Sequence, residues 1–176
     1  YCYSMDMIPS REAAAQACRQ FPIDAVSTVT PLGEGRIHET WLVVDTTGAR
    51  FVLQRLNDAI GREETATLRL VTDHLVQNGM RTPELILTSA DTLTLDSPGG
   101  SWRMLTFIEG KTIDREPSPA QTRSAAALLA RFHATLSSLP QPLPFSPPHF
   151  HDFPYILARM RDVHADNNHA EKHRTC

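Results

Sequence analysis

The chain has 176 residues, of which 41% are hydrophobic and 21% charged, and carries a formal net charge of −3. That balance argues against a protein that binds nucleic acid by neutralising phosphates, and no apolar run approaches the roughly 18 to 20 residues that span a bilayer. A domain of this size buries about 70% of its unfolded surface, enough to hold a core without disulfide or metal.

Cys2, Cys18 and Cys176 are few, odd in number and far apart, which points to a reducing, cytoplasmic setting rather than a disulfide framework. The opening YCYSMDMIPSREAAAQ has no basic end followed by an apolar stretch, so no secretory signal is expected. It begins on Tyr1, and a natural start at Met5 or Met7 fits the sequence.

In chain order, SREAAAQACRQF (residues 10–21) predicts a short helix capped by Ser10, with Glu12 and Arg19 placed to suit its dipole. AVSTVTPL, HETWLVVD and RFVLQRL follow as three strands, the last two joined by the hairpin signal DTTG. REETATLRLVTDHLVQNG predicts a helix that buries Leu68, Val71, Leu75 and Val76 and ends at Gly79. ELILTS, TLTLD and SWRMLTFIE supply two or three more strands.

The organisation then changes. Residues 118–139 begin with Ser118, Pro119 and Gln121, a capping box with a preset first turn. Their expected buried stripe is Ala125, Leu128, Leu129, Phe132, Leu136 and Leu139, and His133 is expected to be a hydrogen-bonded core or interlobe histidine rather than a catalyst. A proline-rich connector, PQPLPFSPP, leads to a last helix in DFPYILARMRDV, and HADNNHAEKHRTC is expected to fray. The order is α+β: an antiparallel-sheet lobe, then the opening of a helical lobe, as in a protein-kinase-like fold stopped partway.

Gly33 and Gly35 in GEGRIH lie between two strands. Glycines there let backbone N–H groups approach a triphosphate, although Gly-x-Gly is also an ordinary turn. The following strand has no Lys, so the phosphate cation falls to Arg55, or its place to the neutral Gln54. Period two puts these on opposite faces and leaves open which one faces a nucleotide. An ion pair between Arg55 and Glu63 or Glu64, in the first turn of the next helix, is one expectation, although acids are common there on dipole grounds alone. WRMLTFIEG fits the wall and edge of an adenine slot, with Met104 lining it and the backbone of Phe107, Ile108 and Glu109 meeting the base. It fits a core strand ending at a turn equally well.

Taken together, PLGEGRIHETWLV, FVLQRLN, VTDHLVQNG, WRMLTFIEGKTID, LLARFHATL and HFHDFPYIL resemble, in order, phosphotransferases of the aminoglycoside phosphotransferase/choline kinase superfamily, closest to its N-acetylhexosamine 1-kinase-like branch. The resemblance spans about residues 28 to 157. It implies phosphoryl transfer from ATP, with Mg²⁺, to a small-molecule hydroxyl of a sugar such as an N-acetylhexosamine or of an amino alcohol. Gly33, Glu34, Gly35, Arg36 and His38 would form the loop over the nucleotide, Gln54 or Arg55 would contact phosphate, and Met104, Phe107, Ile108 and Glu109 would hold the base.

The family's catalytic loop, H-x-D-x-x-x-x-N followed by a metal-binding Asp, has no counterpart here: HFHDF lacks the spacing, and HADNN reaches Glu171 where Asn is required. No catalytic or metal-ligating residue is therefore assigned. Residues 1–24 are expected to be a helical extension, 25–110 a nucleotide-binding lobe, and 111–176 the start of a truncated substrate lobe. The parent protein is expected to be a cytoplasmic kinase, and this chain to bind nucleotide without transferring phosphate. The alternative is a non-catalytic lobe that binds nucleotide or a partner, self-associating through an exposed interlobe face. A zinc site from His149, His151, His164, His169 and His173 is disfavoured, since HAEKH is not H-E-x-x-H.

Overall fold

The computed structural model describes residues 11–33, 37–57, 61–113, 115–145, 149 and 152–172. They fall in two compact units, one ending at Pro144 and one beginning at Phe145.

The first unit is built on a sheet of β1 (Val26–Pro31), β2 (Glu39–Asp45), β3 (Arg50–Arg55), β4 (Leu85–Ile86), β5 (Leu95–Ser97) and β6 (Gly100–Thr106). Its order is β1-β2-β3-β6-β4, with β5 also paired to β6, and every pairing is antiparallel. The β2–β3 turn is closed by Asp45, whose carboxylate accepts from the Thr47 N–H and hydroxyl and from the Ala49 N–H. ELILTS contributes only two residues of strand.

Register and the two-residue period give the sheet two unlike faces. Trp41, Leu53 and Met104 are lined up across β2, β3 and β6. With Val29, Val43 and Trp102 they bury against Ala14, Ala17 and Cys18 of α1 (Arg11–Cys18) and form the core. Burial lifts the Cys18 thiol to about 11. At the rim of this face Gly100 has φ +112°, and a Cβ there would lie 2.7 Å from Arg55 Nε, so both the backbone and the close approach require glycine.

Helix α2 (Gly61–Gln77) lies over the other face. Among its described residues the buried ones are Thr65, Thr72 and Leu75, while Val76 is 37% exposed, so the stripe is rotated from the expected one. Polarity at Thr65 and Thr72 hid it: the Thr72 hydroxyl bonds back to the Leu68 carbonyl, and Thr65 accepts from the sheet.

Helix α3 (Pro119–Leu136) has both bonds of the capping box, Gln121 N–H to Ser118 Oγ and Ser118 N–H to Gln121 Oε1. It meets α2 through His74 Nε2, 3.0 Å from the Thr135 carbonyl, and through Arg131, which donates to the Asn78 and Gly79 carbonyls. Its expected apolar stripe is not buried: Leu128 is 60% and Leu129 55% exposed. Those residues and Phe132 line an open groove with Leu75 and Met80. His133 is exposed, tilted against Phe132, rather than in the core.

The second unit is α4 (Phe153–Lys172) with the residues that start it. Asp152 caps the helix by accepting from the Tyr155 N–H, and His149 stacks on the Tyr155 ring with centroids 3.6 Å apart. The helix runs through most of the tail expected to fray. No Gly or Pro interrupts 155–172 and good helix formers recur there. Among the described residues no helix is long and apolar enough to cross a membrane.

Candidate functional site

One residue along from the apolar row lies a polar one. Thr40, Gln54 and Arg103 are partners across β2, β3 and β6. Gln54 Nε2 donates to Thr40 Oγ1 at 3.3 Å, and Arg103 Nε donates to Gln54 Oε1 at 2.8 Å. A guanidinium has donors only, so the oxygen of the Gln54 amide must face Arg103 and its NH₂ must face away. Arg103 Nη1 donates to Thr65 Oγ1 at 3.2 Å, and Nη2 stands 3.6 Å from Glu64 Oε1. Arg103 is only 3% exposed.

Glu64 is shared. Its other oxygen lies 2.9 Å from His38 Nε2, while His38 Nδ1 accepts the Asn57 backbone N–H at 3.1 Å. Because that N–H can only donate, Nδ1 is unprotonated, the imidazole proton sits on Nε2, and His38 donates to Glu64. Burial pushes the Arg103 guanidinium below its ordinary pKa, and the Glu64 carboxylate opposes the shift. Arginine remains charged through such a change. The result is a cation held inside the lobe by one carboxylate and two neutral groups, Gln54 and Thr65. It lies beside the β1–β2 hairpin, whose pairing continues through the Leu32 N–H to the Thr40 carbonyl.

The residues expected to meet a nucleotide separate accordingly. His38 and Gln54 are in the network. Gly33 opens the hairpin loop with φ +72° and no atom within 4 Å of a built Cβ; Glu34, Gly35 and Arg36 lie outside the described residues. Arg55 is on the α1 face, its Nε donating to the Gly99 carbonyl at 2.7 Å and its Nη1 to Glu39 Oε1 at 3.2 Å. The partner expected for Glu64 was Arg55. It is Arg103, because alternation along β3 turns Arg55 away from α2. Burial raises the Glu39 carboxyl pKa, with Arg55 opposing.

Met104 is fully buried in the α1-side core. Leu105 and Arg103 alternate with it on the α2 face. Past the end of β6, Arg50 lies over the Phe107 ring at 4.8 Å and pairs with Glu109, which ties the segment holding Ile108 to the start of β3.

Sequence reasoning missed Arg103, Thr65 and Thr40. In SWRMLT the alternation of Trp102, Arg103 and Met104 does mark Arg103 as facing away from the tryptophan. Nothing in the sequence states which residue of β3 stands beside it.

Among the described residues no three His, Cys, Asp or Glu side chains gather closely enough to hold a metal ion. Of the histidines weighed for zinc, His151 and His173 lie outside the described residues and His169 is described as helical backbone alone. His149 Nδ1 lies 3.2 Å from Asp152 Oδ2.

The fold is similar to the crystal structure of an aminoglycoside phosphotransferase from Alicyclobacillus acidocaldarius subsp. acidocaldarius, at 14% identity and a TM-score of 0.54, over 76% of this chain and 36% of that one. It is also similar to amicoumacin kinase hAmiN in complex with AMP-PNP, Ca²⁺ and Ami, at 18% identity and a TM-score of 0.54, over 72% of this chain and 40% of that one. The chain thus spans less than half the length of either, and the likeness shows an α+β, protein-kinase-like fold. The model of the phosphotransferase enzyme family matches residues 28–174, so the chain belongs to that family.

Proposed function

We propose that residues 25–110 form the nucleotide-binding lobe of a cytoplasmic small-molecule kinase, with 111–176 opening its substrate lobe. The parent protein transfers the terminal phosphoryl group of ATP to a hydroxyl of a sugar, such as an N-acetylhexosamine, or of an amino alcohol. One observation carries this reading: a buried cation and a helix carboxylate join the sheet to α2, and the same carboxylate meets His38, just before β2. Fixed donors at such a place suit charge on phosphate oxygens without reorganising.

In this reading the backbone of Gly33 to His38 covers the phosphates, Gln54 offers its outward NH₂, and Phe107 to Glu109 meet the base. Arg55 and Met104, on the far face, act on the site only through the sheet. When bound, ATP supplies the phosphoryl group. In this reading Mg²⁺ is held by the complete protein; among the described residues no cluster of metal-ligating side chains is found. The support for an acceptor hydroxyl is family membership and the sequence resemblance; hAmiN's complex with AMP-PNP and Ca²⁺ fits nucleotide and divalent-cation use.

The test is calorimetric titration of the chain with ATP, ADP and adenosine, together with an ADP-release assay against sugars and amino alcohols. Saturable binding that prefers ATP to adenosine, with no acceptor-dependent ADP release by this chain, is expected. Absence of nucleotide binding overturns the reading, and robust acceptor phosphorylation by these 176 residues overturns the assignment of chemistry elsewhere. A second reading, a non-catalytic lobe that self-associates, draws on the exposure of Leu128 and Leu129. Sedimentation that stays monomeric up to high protein concentration removes it.

A further inference from the structure

We propose that the cation of this site has changed strands: the guanidinium of Arg103 on β6 supplies the positive charge that balances bound phosphate, and it acts through the amide of Gln54 on β3. This rests on the nucleotide-site reading above and assigns its electrostatics to a positioning residue.

Four observations converge. First, the β3 residue paired with Arg103 on the α2 face is the neutral Gln54, whose one described acceptor contact is with Arg103 Nε. Second, the other β3 cations are committed elsewhere. Arg55 is on the opposite face, held by Gly99 and Glu39. Arg50 shares Gln54's face, but it is four residues away, roughly 13 Å along the strand, and is engaged by Glu109 and Phe107. Third, the carboxylate that pairs with Arg103 is shared: Glu64 Oε1 stands 3.6 Å from Arg103 Nη2, and Glu64 Oε2 stands 2.9 Å from His38 Nε2. Fourth, Arg103 dictates the amide's direction, so the Gln54 NH₂ is aimed away from the guanidinium. One of its two N–H groups goes to Thr40, and the other has no partner among the described residues.

A charge one strand removed has a distinct consequence. Direct contact with phosphate falls to Gln54, while Arg103, at 3% exposure, sets the local potential and holds the amide in place. Losing Arg103 must therefore weaken the hold on phosphate without weakening the hold on the base. Moving the cation to β3 must restore it.

The experiment measures Kd for ATP and for adenosine in the wild-type chain, Arg103→Gln, and the double variant Gln54→Lys with Arg103→Gln, with thermal midpoints to confirm folding. Arg103→Gln is expected to raise the ATP Kd roughly tenfold, the equivalent of about 1.4 kcal/mol, and to leave the adenosine Kd unchanged. The double variant is expected to regain most of the ATP affinity. A merely structural arginine would weaken both ligands together or neither, and would not be rescued by Gln54→Lys; either pattern overturns the inference while the nucleotide reading stands. A wild-type chain with no preference for ATP over adenosine overturns both.

If Arg103→Gln does not fold, the wild-type chain still decides. In ¹⁵N spectra the Arg103 Nε–H and Gln54 side-chain signals should shift with ATP and not with adenosine. Identical responses to the two ligands, or none, overturn the inference.

Discussion

The two faces of the sheet differ by a single step along the same three strands. Trp41, Leu53 and Met104 form a dry row under α1, whereas Thr40, Gln54 and Arg103 form a hydrogen-bonded row under α2. Each backbone bond in the ladder serves both. The apolar row stabilises the lobe by removing side chains from water. The polar row confines a charge whose desolvation roughly cancels its pairing, so its worth lies in what it holds in place. On the proposed nucleotide-site reading, stability and function are separated by side-chain parity rather than by distance, and substitutions on the two faces should fail in different ways.

The largest effect is expected from Leu53→Ala, which leaves a cavity in the dry face. It should cost about 2–5 kcal/mol in denaturant unfolding, and the fraction that stays folded should keep its preference for ATP over adenosine.

On the wet face Arg103→Met keeps the volume and removes the charge. It leaves Gln54 Oε1 without its donor, at a cost of about 1–3 kcal/mol, because Glu64 is 35% exposed in its side chain and can turn to water. Here the ATP preference should fall, which a stability measurement alone would not reveal.

Ser118→Ala touches neither face. Removing the α3 cap should cost about 1 kcal/mol, seen in a thermal midpoint, and leave nucleotide affinity unchanged. A changed affinity would mean that α3 communicates with the sheet.

The smallest effect near neutral pH is expected from Asp45→Asn, at the rim of the dry face. The Thr47 hydroxyl holds this carboxyl below its usual value of 3.8 against the upward pull of burial, and the Ala49, Thr47 and Gly48 N–H groups lower it further. A depressed folded-state pKa contributes stability above 3.8 and loses it as the pH falls through the folded value. The amide that replaces the carboxylate would remain a hydrogen-bond acceptor but could not titrate, so the acid limb of the stability–pH curve should flatten below that value. An unaltered acid limb would contradict the assignment.

Much of this division was legible in the sequence. AVSTVTPL, HETWLVVD and RFVLQRL alternate cleanly, DTTG closes the hairpin, and Ser118 with Gln121 marks the start of α3. These signals are local, and local chemistry fixes them. What could not be read is what depends on register between distant segments. The sequence places Arg103 and Gln54 apart by 49 positions, and only the β3–β6 pairing makes them neighbours. The burial of α2 followed two threonines that satisfy their hydroxyls locally, so apolar periodicity pointed to Val76 instead. The stripe of α3 was read correctly as apolar, but apolarity does not say whether a covering surface is present.

The most direct test of the central claim is backbone hydrogen–deuterium exchange of the chain with and without ATP. Loop N–H groups that bind phosphate should slow over residues 33–38, with slowing at 107–109 where the base would meet the chain, while α1 exchanges at an unchanged rate. ATP that leaves exchange in both segments unaltered, or that protects α1 instead, would contradict the placement of a nucleotide on the α2 face.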